Sequence, residues 1–419
     1  MDIETLNNWN PWWNTKEVPK ALVGRTRTFN PAILKVLKEK EIIALTGIRR
    51  SGKTTLMYQM VASLVRTVDA KKILYVNLDD ELLKKERLES IYTCYRQHMN
   101  PDKPAFVFLD EIQNSDGWEH FLKKYYDLHE PVKFIISGSS AHLLRGEFST
   151  LLTGRNITFV IYPLSFSEFL AFSGVDTHII TSQTKSKIIN ALYRYLEYGG
   201  FPEVYFKDDD IKSLLLKQYF DDIIYKDIVK RHDINAKKIT DLAVYLLTNI
   251  SNPTTIRKIR NFTGLSIDSI KDYISYLEDA HIFLPLQHFS YSLIEKAQIP
   301  LKSYVIDCGL RNIVGFRFSS DSGRLAENCV RTELERRELD ASYWKGKGEV
   351  DFVIKNKDNS LTAMNVCFAD AVNEREIQSL QEFAAKFKKT TQSIVLSRDV
   401  EEKRGDITII PLWKWLMET

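Results

Sequence analysis

Cysteine is scarce in this 419-residue chain: Cys94, Cys308, Cys329 and Cys367 are the only four, and none has CxxC or CxxH spacing. That scatter excludes a disulfide framework, argues against a zinc site and points to reduced thiols. Long apolar runs are missing too. No stretch approaches the roughly 18 residues that span a bilayer, and the amino terminus lacks a signal-peptide pattern. The expected location is cytoplasmic, with no membrane partner. Charge of one sign is also lacking: Lys and Arg number 58 against 55 Asp and Glu, a net charge of +3. Composition therefore gives no warrant for a polyanion partner, and any basic patch has to be local. The remainder, 44% hydrophobic and 27% charged, suits two or three ordinary domains with several cores.

The chemistry begins at Ile42-Ile43-Ala44-Leu45-Thr46, a short apolar run that reads as a buried parallel strand. It breaks into Gly47-Ile48-Arg49-Arg50-Ser51-Gly52-Lys53-Thr54-Thr55, a match to G-x-x-x-x-G-K-[ST], the P-loop or Walker A pattern. Wrapping a triphosphate needs backbone N–H groups at close range, which Gly47 and Gly52 permit, and a helix N-terminus aimed at the phosphates. Residues 47–55 are thus the candidate nucleotide-binding set. Lys53 is expected to reach the β and γ oxygens, and Thr54 to ligate Mg²⁺. Leu56, Met57, Met60, Val61 and Leu64 continue the pattern as a helix.

A second apolar run, Ala105 to Leu109, ends in Asp110-Glu111, as a Walker B strand buried on both faces does. Asp110 is the expected Mg²⁺ ligand, and Glu111 the residue that orients or deprotonates the attacking water. A third run, Val132 to Ile136, ends in Ser137-Gly138-Ser139-Ser140, making Ser137 and Ser139 candidates to sense the γ-phosphate. Arg155, after Leu151-Leu152-Thr153-Gly154, is the candidate arginine finger, acting in cis or on a neighbour's nucleotide. Arg145 is its rival, and a structural ion pair is the alternative for both.

Around this block the chain is less explicit. Residues 1 to 20 form an aromatic arm with Trp9, Trp12 and Trp13, expected to pack on a neighbouring surface. Arg25 and Arg27 read as solvated charge, with approach to nucleotide or to a neighbouring subunit the alternative. Residues 211 to 234 carry Leu214, Leu215, Leu216, Tyr219, Phe220, Ile223, Ile224 and Ile228, read as a helical apolar stripe facing a core. Three helical patterns follow, Ile239 to Asn249, Thr254 to Phe262 and Ser266 to Asp279, with Ser266 as an N-cap. The last two fit a helix-turn-helix, and Phe283 to Phe289 would supply wing strands. The exposed positions of the last helix offer Asp268, Lys271, Asp272, Glu278 and Asp279, whereas basic residues concentrate on the preceding one in Arg257, Lys258 and Arg260.

GIRRSGKTT, LDEIQN, ISGSS, LLTGR and YPLSFSEF resemble the AAA+-type ATPases of archaea and bacteria that carry a carboxyl-terminal domain of unknown function. The likeness continues through Tyr198-Gly199-Gly200-Phe201-Pro202-Glu203 and the run Tyr219 to Ile228. It covers nearly the whole chain. It implies an α/β fold: an amino-terminal arm (1–30), a P-loop NTPase domain (31–175), a helical segment (176–235), a winged helix (236–300) and a restriction-endonuclease-like α/β domain (301–419). ATP hydrolysed with Mg²⁺ is the implied chemistry. Two outputs stand open, a DNA-associated remodeller or a nucleotide-gated switch with a protein partner.

The terminal region repeats the question. Gly323 to Val330 resembles the helix that opens a PD-(D/E)xK nuclease-like core, and Gly348 to Ile354 its first metal-binding strand, with Glu327 and Asp351 as carboxylates. The pattern departs at Asn365-Val366-Cys367, where an intact site has Glu-Val-Lys. Without that ammonium no nuclease activity is expected, and Glu327, Glu349 and Asp351 also read as structural carboxylates.

Overall fold

Short runs of aliphatic and aromatic residues become strands β1 (Ile42–Thr46), β2 (Ile73–Asn77), β3 (Ala105–Asp110), β4 (Val132–Ser137) and β5 (Asn156–Val160). The computed structural model describes residues 2–28, 31–101, 104–138, 151–292, 299–315 and 321–418, which divide into two units, Met1–Ile161 and Tyr162–Thr419. The five strands belong to the first unit and pair in the order β2-β3-β4-β1-β5, every neighbour parallel. All five residues of β1 are buried, which is why the strand shows no polar alternation.

β2 lies at the edge of this sheet, and the amino-terminal arm closes that edge. The side-chain amide of Asn10 stands in for a further strand, donating to the Tyr75 carbonyl at 2.8 Å and accepting its N–H at 2.6 Å. The indole N–H groups of Trp12 and Trp13 both donate to the Ile73 carbonyl, at 3.2 and 2.8 Å. Both tryptophans are buried. An exposed row of strand donors and acceptors is thereby covered.

In the second unit the helix Asp209–Asp222 runs on through a π-helical turn, Ile223–Val229, into Lys230–His232. Leu216, Tyr219, Phe220, Ile223, Ile224 and Ile228 are buried, but Leu214 is 65% exposed, correcting the expected stripe. Three consecutive leucines sweep about 200° around a helix and do not share one face. Helices Ala236–Thr248, Ile256–Thr263 and Ile267–Asp279 follow, with the Ser266 hydroxyl accepting the Ser269 N–H. Strand β6 (Pro253–Thr254) pairs antiparallel with β7 (Leu301–Lys302), beyond the expected module end at residue 300. The Leu284 and Leu286 amides bond the carbonyls of Tyr304 and Lys302, so the segment Phe283 to Phe289 runs alongside.

Six strands complete the unit: β8 (Asp340–Lys345), β9 (Glu349–Lys355), β10 (Leu361–Cys367), β11 (Thr390–Ser397), β12 (Glu402–Arg404) and β13 (Ile407–Pro411). Their order is β12-β13-β11-β10-β9-β8, parallel at β10/β11 and β11/β13 and antiparallel elsewhere. The Gly199-Gly200 pair closes on Asp307, whose carboxylate accepts the N–H groups of Gly200, Gly309 and Leu310 at 2.7, 2.8 and 3.2 Å. A Cβ on Gly199 would lie 1.9 Å from an Asp307 oxygen. The four cysteines are buried, and none is in a disulfide. Among the described residues no helix is long and apolar enough to cross a membrane.

Candidate functional site

The loop between β1 and the helix Lys53–Leu64 takes its path from its glycines. Gly47 has φ +136°, and a Cβ there would stand 2.2 Å from the Ile161 carbonyl oxygen. Gly52, at φ +98°, opens the helix. Between them Arg50 holds φ +68°, a position that strains a residue with a Cβ. The Lys53 ammonium folds back over the loop, donating to the carbonyls of Gly47 and Ile48 at 2.9 and 3.1 Å. Ile48 and Ser51 are buried, Arg50 and Thr54 exposed, and Arg49 and Thr55 half-buried.

Because the sheet is parallel, the ends of β1, β3 and β4 bring their trailing residues to the same edge as this loop. Asp110 is the hub. Its Oδ2 accepts the hydroxyls of Thr54 and Tyr75, each at 2.7 Å, and its Oδ1 accepts the Ser137 hydroxyl. Glu111 sits in the left-handed region at φ +54°. Its N–H donates to Ser137 Oγ at 3.3 Å, and its Oε2 accepts from Gln113 Nε2 at 2.5 Å. Burial raises the Glu111 pKa, with the nearby Lys53 ammonium opposing. Burial and the Asp110 charge push the Tyr75 phenol well above its usual value.

Lys53, Thr54, Asp110, Glu111 and Ser137 are thus brought together, whereas Arg155 is not. It precedes β5 at the opposite end of the parallel sheet, one strand length of about 16 Å from the loop. Its guanidinium pairs with Asp127 at 3.0 Å, so the expected contact in cis is corrected to an ion pair. Ser139 and Arg145 lie outside the described residues. Arg27, read from sequence as solvated charge, is instead buried and donates to the Ser51 carbonyl at 2.6 Å. Gln59 secures that strap: it accepts the Arg27 N–H and donates to the carbonyls of Val23 and Arg25. No local motif marks this contact.

A second polar cluster lies in the other unit. Lys302 Nζ meets Glu349, Glu327 and Asp351 at 2.6, 3.0 and 3.2 Å. The sequence singled out these carboxylates but not the lysine, which comes from β7. Asn365 and Cys367 are buried in β10.

Residues 39–170 match the family described as an AAA domain, and two domains of unknown function, DUF8612 and DUF4143, match residues 189–321 and 322–415. The uncharacterized protein MJ1544 of Methanocaldococcus jannaschii is 32% identical over 418 residues, covering 94% of this chain and 92% of that protein. An uncharacterized protein of Haemophilus influenzae is 29% identical over 413 residues, covering 95% of this chain and 100% of that protein. A structure of the Aeropyrum pernix ORC1 protein in complex with DNA covers 73% of this chain and 95% of that one. The two chains are 13% identical, with a TM-score of 0.34. This chain, an AAA domain followed by two domains of unknown function, belongs to the same family as MJ1544.

Proposed function

We propose that residues 31–175 bind ATP and hydrolyse it with Mg²⁺, and that nucleotide state is passed to a winged-helix module and a nuclease-like carboxyl-terminal domain in a cytoplasmic protein. One observation carries this reading: Lys53, Thr54, Asp110, Glu111 and Ser137 converge on the loop at one edge of the parallel sheet. Thr54 Oγ1 and Asp110 Oδ2 are hard oxygen donors 2.7 Å apart, a pair suited to a shared Mg²⁺. That ion would neutralise charge on the phosphates. Tyr75 and Ser137 fix the orientation of the Asp110 carboxylate. Lys53, released from the Gly47 and Ile48 carbonyls, would bind the β and γ oxygens. Gly47 to Thr55 would surround the phosphates with N–H groups.

Glu111 would direct a water at the γ-phosphorus. The new P–O bond forms as the bond to the β–γ bridging oxygen breaks; ADP departs and the carboxylate takes the water's proton. The output we favour is DNA, approached through Arg257, Lys258 and Arg260, all exposed on Ile256–Thr263. A nucleotide-gated switch binding a protein partner is the second reading. The nearly balanced charge and the exposed Asp268 and Asp272 of Ile267–Asp279 favour it.

The test is steady-state phosphate release with Mg²⁺ by wild type, Lys53→Ala and Glu111→Gln, with and without single-stranded and duplex DNA at two salt concentrations. ATP at 100-fold over its dissociation constant should stabilise wild type and Glu111→Gln by about 2.7 kcal/mol, and Lys53→Ala not at all. Glu111→Gln should lose turnover; retained turnover moves the catalytic role elsewhere. DNA stimulation that fades with salt supports the first output, and DNA-indifferent turnover supports the second.

A further inference from the structure

The resemblance of the terminal domain to a metal-dependent nuclease core implies a Mg²⁺ site at Glu327 and Asp351, and the residues present do not fit one. The Lys302 side chain is 1% exposed, and its ammonium lies between Glu349 Oε1, Glu327 Oε1 and Asp351 Oδ1 at 2.6, 3.0 and 3.2 Å. An ammonium has three N–H donors, and here each has its own carboxylate. The contacts to Glu327 and Asp351, at 3.0 and 3.2 Å, have ordinary N–H···O hydrogen-bond lengths, and the contact to Glu349 at 2.6 Å is a shorter one. Burial alone would lower the Lys302 pKa, but the charges of Glu327, Asp351 and Glu349 hold it well above the usual lysine value.

Much of the remaining ligand capacity is already committed. Asp351 Oδ2 accepts the Val366 N–H at 2.9 Å, Glu327 Oε1 also accepts the Tyr304 hydroxyl at 2.5 Å, and Glu349 Oε2 pairs with Lys345 at 2.9 Å. Asn365, standing where a metal-binding carboxylate belongs, is fully buried and spent on its neighbours. Its Oδ1 accepts the Asp351 N–H at 3.0 Å, and its Nδ2 donates to Glu376 and to the Glu349 carbonyl at 2.7 and 3.2 Å. Lys302 itself is held by backbone bonds to Leu286 and by its pairing with Pro253. A divalent ion would have to evict a buried, fully bonded cation whose backbone is pinned.

We infer that Lys302 is the resident cation of a cage formed by Glu327, Glu349 and Asp351, that the wild-type cage takes up no divalent ion, and that removing the lysine side chain converts it into a divalent-cation site. The ammonium ties the strand pair β6–β7 to the helix Ser322–Arg336 and to β9, a join that needs no metal. This inference does not depend on the nucleotide site.

It is tested on the full chain without nucleotide, by titrating Mn²⁺ and following the spin resonance of the free ion. Wild type, Asp351→Asn and Glu327→Gln should bind equal numbers of Mn²⁺ per chain. Lys302→Ala and Lys302→Ser should each bind one more, and adding Asp351→Asn to either should abolish that gain. A wild type that binds one more Mn²⁺ than Asp351→Asn overturns the resident-cation assignment, and Lys302 variants without the extra ion overturn the conversion. Failure of both Lys302 variants to fold by circular dichroism, even with millimolar Mn²⁺, also overturns the conversion, because the ion would then not replace the ammonium. The wild-type comparison decides the first half in that case.

Discussion

Asp110 and Asp307 are both buried carboxylates, and their surroundings set them different tasks. Asp110 faces three hydroxyls, from Thr54, Tyr75 and Ser137, donors that can exchange for other partners. Glu111, beside it, has its pKa raised chiefly by burial. If it receives the proton of the attacking water, turnover falls as pH drops through that raised pKa. The acidic limb of a rate–pH profile should then have its midpoint above 4.5, the ordinary value, and the limb should vanish from the residual rate of Glu111→Gln. Asp307 faces backbone N–H groups that do not exchange, yet burial still raises its pKa to about 6 from an ordinary 3.8. The folded chain therefore holds this proton more tightly than the unfolded chain does. The stability linked to that proton is present below pH 3.8 and is lost as pH rises to about 6, by about 3 kcal/mol at most. Urea unfolding at pH 4.5 and 7 should show this slope in wild type, and a flatter one in Asp307→Asn.

At the scale of elements, the arm and β2 form one device. Asn10 satisfies both the N–H and the carbonyl of Tyr75, and the hydroxyl of that tyrosine holds Asp110. Asn10→Ala leaves two buried backbone groups unpaired, at about 1–3 kcal/mol each. Its melting temperature should fall by several degrees, and its ATP affinity should weaken although Asn10 touches no loop residue. Unchanged affinity with lowered stability would uncouple the edge from the site. The sequence reveals the Walker elements because their chemistry is contiguous: a strand, a glycine-bounded loop and a lysine within twelve residues, then an apolar run ending in two acids. It reveals the arm as packed but not its target, since Asn10 and Tyr75 lie 65 residues apart. Arg27 and Lys302 carry no periodic or motif signal, their partners lying 24 and up to 49 residues away. Arg155 looks like a finger by position in the chain, but a parallel sheet sends the start of β5 away from the loop. The π-helical turn at Ile223–Val229 is equally silent, because its residues suit an ordinary helix.

For the whole molecule, the balance of charge is what separates the two outputs. With a net charge of +3 over 419 residues, long-range attraction to a polyanion is weak, and binding to DNA has to come from a local patch. The described residues offer such a patch in Arg257, Lys258 and Arg260, exposed on the side of their helix opposite the buried Ile259. Each cation that neutralises a phosphate contributes about 0.9 to the slope of log affinity against log salt. Replacing all three by glutamine should therefore flatten that slope by about 2 to 3 and remove DNA stimulation of turnover. Basal hydrolysis should stay at the wild-type rate, because none of the three belongs to the candidate catalytic set. Fluorescence anisotropy with labelled duplex and single-stranded DNA at several salt concentrations measures the slope directly. A slope unchanged by the triple substitution would place the contact elsewhere. If neither protein bound DNA at 50 mM salt, the exposed Asp268 and Asp272 of Ile267–Asp279 would mark the surface on which to seek a basic protein partner.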